Sequence, residues 1–174
     1  MAHYIYIYHF SQSLAHLFHR TNTNIQKNAW QLEEEYPQPS MKNPDSEAEA
    51  LMKSNMSFKF AREFTKAAHG SAEEKEKEQA LLTELRAIES YLKTHPGPLI
   101  GGKDVSQADA AIAPKLYHLT TALPALKQGW KLPEEFVHIQ KYLEFIKQKP
   151  SWKKTDYGED SIVAGWKKFL AGSH

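Results

Sequence analysis

A chain of 174 residues that is 41% hydrophobic and 25% charged has the size and composition of one globular domain with room for a real core. Twenty-two Lys and Arg against 21 Asp and Glu leave a formal charge of +1, without the basic excess that phosphate tracking needs. No run of about twenty apolar residues offers a membrane span, and the absence of cysteine removes disulfides, thiolate metal sites and thiol nucleophiles from this sequence.

Residues 1–30 stand apart from the rest. The stretch MAHYIYIYHFSQSLAHLFHRTNTNIQKN contains no acid, the first being Glu33. Its acid-poor character resembles a targeting segment, but Arg20 and Lys27 are its only fixed positive charges. The alternation in YIYIYHF is strand-like. His9, His16 and His19 lack the carboxylate or cysteine that would complete a metal site, so no metal is expected. We read residues 1–30 as a poorly ordered arm and residues 31–174 as one helical domain.

From Gln31 onward the pattern is helical. EEEYPQPSMKNPD is a connector broken by Pro37, Pro39 and Pro44. Pro44 suits the first position of a helix, with Asn43 or Asp45 near its cap. Ala48, Leu51, Met52, Met56, Phe60, Phe64 and Ala67 then recur at threes and fours as one apolar face. After Gly70, Ser71 and Glu74 have capping-box spacing, and Leu81, Leu85, Ile88 and Leu92 carry the next stripe. THPGPLIGG stops that helix. Three more are predicted, from Ser106, from about Glu134 and from about Glu159. The EEKEKE run is a solvated face. An all-α bundle follows.

In DVSQADAAIAPKLYHL, Ser106 and Asp109 form an S-x-x-D capping box, each able to satisfy an orphan N–H at the helix start. That gives both a structural role. Ala108, Ile112, Leu116, Leu119 and Leu123 make a buried stripe, and Pro114 should bend the helix. Lys115 and His118 fall on one flank of that stripe, where a helix edge meets a cleft. His118 can exchange hydrogen bonds with a small polar ligand near neutral pH, or simply bond a neighbouring carbonyl.

The buried S-x-x-D box opening a C-terminal helical domain resembles the glutathione transferase fold. Within it, ADAAIAPKLYHL, GWKLPE and IVAGW are similar to plant and algal dehydroascorbate reductases, and LEEEYPQPS resembles the segment where that family passes from its thioredoxin-like domain into the helices. The likeness runs from about Gln31 to Phe169. It implies a glutathione transferase C-terminal-like bundle and glutathione-dependent reduction of dehydroascorbate to ascorbate. It also implies that His118 and Trp166 line the ascorbate pocket, with Lys115 and Tyr117 structural or at the pocket edge. In the family a cysteine of the thioredoxin-like domain attacks the substrate and glutathione resolves the intermediate.

This sequence departs from that pattern. The thioredoxin-like domain has no counterpart in it, and residues 1–28 are too short to supply one. Ser11, Ser13 and Ser54 lack a base to activate them. No residue of this chain is therefore expected to be catalytic, and the sequence reads as a truncated product or a short paralogue. Glutathione, the family's co-substrate, is not assigned a site here. The alternative is a non-catalytic helical module for protein–protein association, self-association included, through apolar surface that the thioredoxin-like half would cover. A membrane-inserting chloride-channel relative shares the superfamily fold but finds no spanning segment here. The family occupies both cytoplasm and plastid, and the cytoplasm is the preferred expectation.

Overall fold

The structure, a computed structural model, describes residues 42–172. The arm expected over residues 1–30 lies outside the described residues. Seven helices follow in order among the described residues: α1 (Ser46–Ser54), α2 (Ser57–Lys66), α3 (Ala72–Thr94), α4 (Gln107–Leu126), α5 (Val137–Lys147), α6 (Pro150–Thr155) and α7 (Glu159–Ala171). The one extended pairing among them is an isolated bridge between Leu99 and Gly102.

α4 is the central element. It packs against α1, α2, α5 and α7, while α3 packs against α2 and α5. Its predicted stripe is buried: Ala108, Ile112, Leu116, Leu119 and Leu123 have no exposed surface. Leu81, Leu85 and Ile88 of α3 meet it, with Phe136 and Ile139 at the start of α5. Each such side chain withdrawn from water contributes roughly 1.5–3 kcal/mol. Pro114 and Pro124 both lie within the continuous helix, Pro114 buried.

The capping box at the start of α4 is the hub of the fold. Ser106 Oγ accepts from the Asp109 N–H at 3.3 Å, and Asp109 Oδ2 accepts from the Ser106 N–H at 2.9 Å. Asp109 also accepts from the Ser106 hydroxyl at 2.8 Å, the Ile100 and Gly101 N–H groups at 2.8 and 2.9 Å, and the Tyr142 hydroxyl at 3.0 Å. The glycine-rich loop is what lets the backbone come so close. A Cβ on Gly101 would sit 2.2 Å from the Asp104 carbonyl oxygen.

Five expectations are corrected. The apolar run from Ala48 to Ala67 is not one helix. Asn55 turns to an extended backbone, its side chain accepting from the Ser57 hydroxyl at 2.6 Å, and the Met56 N–H donates to Glu84 at 2.9 Å. The break resets the helical phase, so α2 buries Ser57, Ala61 and Phe64 and leaves Met56 exposed. Pro44 precedes the cap rather than following it: Asp45 caps α1 through the Ala48 N–H, and Asn43 instead accepts from the Ala108 N–H of α4.

Half of the Ser71–Glu74 box forms. Ser71 Oγ accepts from the Glu74 N–H, but the Glu74 carboxylate takes the Gly70 N–H and the Lys127 ammonium, both at 2.7 Å. Lys127 is buried and also donates to the Ala67 carbonyl, tying the end of α4 to the α2–α3 turn. Its ammonium, with the Gly70 N–H, pulls the Glu74 carboxyl down to about 2. Finally, α5 starts at Val137 rather than Glu134, and α6 is an additional helix, with Pro150 in its first turn. Glu89 of α3 accepts from the His138 and Ile139 N–H groups at 2.9 Å each, so α5 is capped from another helix.

Candidate functional site

His118 and Trp166 reach one ring. Phe58 of α2 lies 6.1 Å from the His118 imidazole and 5.3 Å from the Trp166 indole, the latter edge-on, between ring centres. Three helices therefore supply the cluster: α2 gives Phe58, α4 His118 and α7 Trp166. Trp166 is buried, anchored by the stripe it shares with Ile162. His118 is half-buried.

A small cleft opens on the other side of His118. Pro114, Tyr117, Trp152, Thr155, Asp156 and Tyr157 complete its lining around about 330 Å³ of empty volume continuous with solvent. Tyr157 and Asp156 belong to the turn between α6 and α7, where Gly158 adopts φ +87° and its N–H donates to Asp156 at 3.0 Å. The Tyr157 hydroxyl stands 2.6 Å from His118 Nε2 and donates to it when the ring carries its proton on Nδ1. The Tyr117 hydroxyl donates to both Asp156 oxygens at 3.3 Å, and Tyr117 stacks edge-on against Trp152. The Trp152 indole N–H is buried and meets no acceptor among the described residues.

Electrostatics fix the working form of these groups. Burial pushes the His118 imidazole down to about 4, only partly offset by the attraction of Asp156, so the ring is neutral at physiological pH. Burial, reinforced by Asp156, raises the Tyr117 hydroxyl well above its ordinary value, leaving it a donor. The site thus presents a neutral imidazole, two phenols and an indole wall, suited to holding a small polar molecule by hydrogen bonds. Among the described residues no group of three or more His, Asp or Glu is placed to hold a metal ion.

Lys115 and His118, predicted on one flank, part company. Lys115 lines a separate groove with Asn55 and residues of α2, and burial lowers its ammonium's pKa. Ser106 and Asp109 belong to the hub and not to the cleft. Phe58 in the ring cluster, and Trp152 and Tyr157 in the cleft, are the residues that periodicity missed.

A protein-family model for the glutathione S-transferase C-terminal domain matches residues 71–145. Residues 71–145 carry a glutathione S-transferase C-terminal domain, and the bundle has that fold. Beyond that, the chain is 40% identical over 135 residues to "Probable glutathione S-transferase DHAR1, cytosolic" of Oryza sativa subsp. japonica, which covers 78% of this chain and 60% of the rice protein. It is 37% identical to glutathione S-transferase DHAR2 of Arabidopsis thaliana, with the same coverage. The chain thus spans about 60% of the length of these curated relatives.

Among solved structures it is similar to the crystal structure of Chlamydomonas reinhardtii dehydroascorbate reductase, with a TM-score of 0.64 and 35% identity over 79% of this chain and 62% of that one. The CLIC homologue EXC-4 from C. elegans superposes with a TM-score of 0.69 at 18% identity over 87% of this chain and 56% of that one, a likeness of fold alone. No helix among the described residues is long and apolar enough to cross a membrane.

Proposed function

We propose that this chain is the helical part of a dehydroascorbate reductase-like protein, in which His118 and Trp166 hold dehydroascorbate or ascorbate beside Phe58. The convergence of imidazole and indole on one aromatic ring, with His118 also lining a small neighbouring cleft, carries this reading. The similarity to named dehydroascorbate reductases supports it. The indole and Phe58 form the apolar wall for the flat lactone. The neutral imidazole exchanges a hydrogen bond with a ring oxygen or hydroxyl. Tyr157 holds Nε2 until the ligand arrives.

The reaction transfers two electrons and two protons to dehydroascorbate, while two glutathione thiols become one disulfide. That exchange runs through sulfur. The 174 residues contain none of the cysteine it requires. In this reading the chain supplies binding and orientation, glutathione is the co-substrate, and a thiol outside these residues performs the covalent step. Residues 1–30 then act as an arm on a helical domain over residues 31–174. Either compartment named for the relatives, cytosol or chloroplast, suits it.

Ascorbate binding by equilibrium dialysis tests the reading. Wild-type chain should bind saturably, and His118→Gln should weaken binding about tenfold, the effect of one buried hydrogen bond to a polar ligand. Equal affinity of variant and wild type removes His118 from the site. Glutathione-dependent turnover of dehydroascorbate by the purified chain alone, above the uncatalysed rate, overturns the division of labour.

A second reading, a module for protein–protein association, is favoured by one observation. Exposed Met56 and partly exposed Phe58 and Phe60 lie together at the start of α2. Concentration-dependent elution on size exclusion supports it; a single monomeric position at all concentrations counts against it.

A further inference from the structure

Beside the cleft runs a second groove with a different chemistry. Arg62 and Lys66 lie one turn apart on α2, and both cations stand over the ring of Phe169 in α7. The guanidinium carbon is 3.7 Å from the ring centre and the ammonium 5.0 Å. Neither forms an ion pair among the described residues. Burial disfavours the charge of Arg62, and no carboxylate among the described residues offsets that cost.

The groove encloses about 770 Å³ of empty volume open to solvent. Among the described residues, Lys59, Arg62 and Lys66 line it against a single acid, Glu63, so these three leave two positive charges in excess on the rim, with Lys115 beside them, in a chain whose total is +1. Glu63 is itself divided between Lys59 at 3.9 Å and Lys77 at 3.7 Å. At one end lies Asn55, 9% exposed, whose buried Nδ2 meets no acceptor among the described residues.

An ordinary solvated helix face alternates charges and spreads them. Here like charges gather, two of them on one aromatic ring, which costs mutual repulsion unless an anion joins them. A guanidinium laid on an aromatic face keeps its N–H edge free as a planar fork, the geometry that grips carboxylate or phosphate with two parallel hydrogen bonds.

We propose that this groove binds a small, multiply charged oxyanion ligand, carboxylate- or phosphate-bearing. Arg62 is its anchor, and Lys59 and Lys66 are supporting charges. The site is distinct from the ascorbate reading and needs neither His118 nor Trp166. Phe58 borders both, which places the anion next to the first site without merging the two.

Titration of the full chain with inorganic phosphate and, separately, with citrate at fixed ionic strength tests this, read by arginine and amide NMR signals. Saturable shifts at Arg62 and along α2 are expected with at least one probe, and the tighter probe identifies phosphate or carboxylate as the preferred group. Arg62→Met keeps a stem on Phe169 but removes the fork, and should weaken that probe about tenfold or more. Lys66→Gln, at an exposed position, should weaken it about threefold. His118→Gln should leave it unchanged. Shifts that never saturate with either probe, or equal affinities in wild type and both α2 variants, overturn the site.

Discussion

Asp109 and His118 sit on one helix, both polar and both set against an apolar stripe, yet they live differently. Asp109 has no exposed surface, and its two oxygens receive five hydrogen bonds from one loop, a cap and a tyrosine. Nothing is left for a ligand. His118 is half open, and its one hydrogen bond to another side chain among the described residues goes to an exposed tyrosine on a turn that ends at Gly158, a positive-φ glycine. Its environment keeps the ring neutral without using it up. A saturated buried group specifies the fold, and a partly satisfied one at a rim retains capacity to bind.

The sharpest way to break this contrast is Asp109→Ala. Five donors would lose their acceptor in a dry interior, and urea unfolding should show a loss of about 3–5 kcal/mol. A loss below about 1 kcal/mol would mean the hub is not what holds α4 to its loops. Next in size is an acid effect that belongs to His118. Its folded value of about 4 lies below the ordinary 6.5, so between those values the unfolded chain takes up a proton that the folded one refuses. Stability contributed by His118 is thus full above pH 6.5 and falls as pH drops toward 4, by on the order of 2–3 kcal/mol. Unfolding curves of wild type and His118→Gln across that window should diverge by this amount; parallel curves would contradict the buried neutral ring.

Smaller effects sharpen the picture. Tyr142→Phe removes one of five donors to Asp109 and should cost about 1 kcal/mol, far less than loss of the carboxylate. Tyr157→Phe should change stability by less than about 0.5 kcal/mol, since the side chain is exposed. It frees Nε2 of His118, so ascorbate affinity should rise a few-fold. A fall in affinity would make Tyr157 a ligand contact rather than a competitor.

Much of this was legible in the sequence where local rules suffice. The stripe of α4 and the Ser106–Asp109 box follow from 3.6-residue periodicity and capping chemistry, and the structure reproduces both. What escaped depends on partners distant in the chain. The break at Asn55 is stabilised by Glu84 of another helix, and the late start of α5 by Glu89. Lys127 reads as a surface lysine at a helix end until Glu74 and the Ala67 carbonyl are seen to enclose its ammonium. The α6 helix is only six residues long, too short for a stripe, although Pro150 after Lys149 was a start signal. At the site, His118 and Trp166 came from motif resemblance. Phe58, which touches both, and Tyr157, which lies in a turn, carried no periodic signal of their own.

One measurement reaches the contrast directly: ring and indole NMR signals followed while ascorbate is added to the intact chain. His118 and the Trp166 indole should move together along one saturating curve. Tyr142, bonded to Asp109, and His138, held by Glu89 at 2.7 Å, should stay still. Motion of the Asp109 end with no response at His118 would contradict the account.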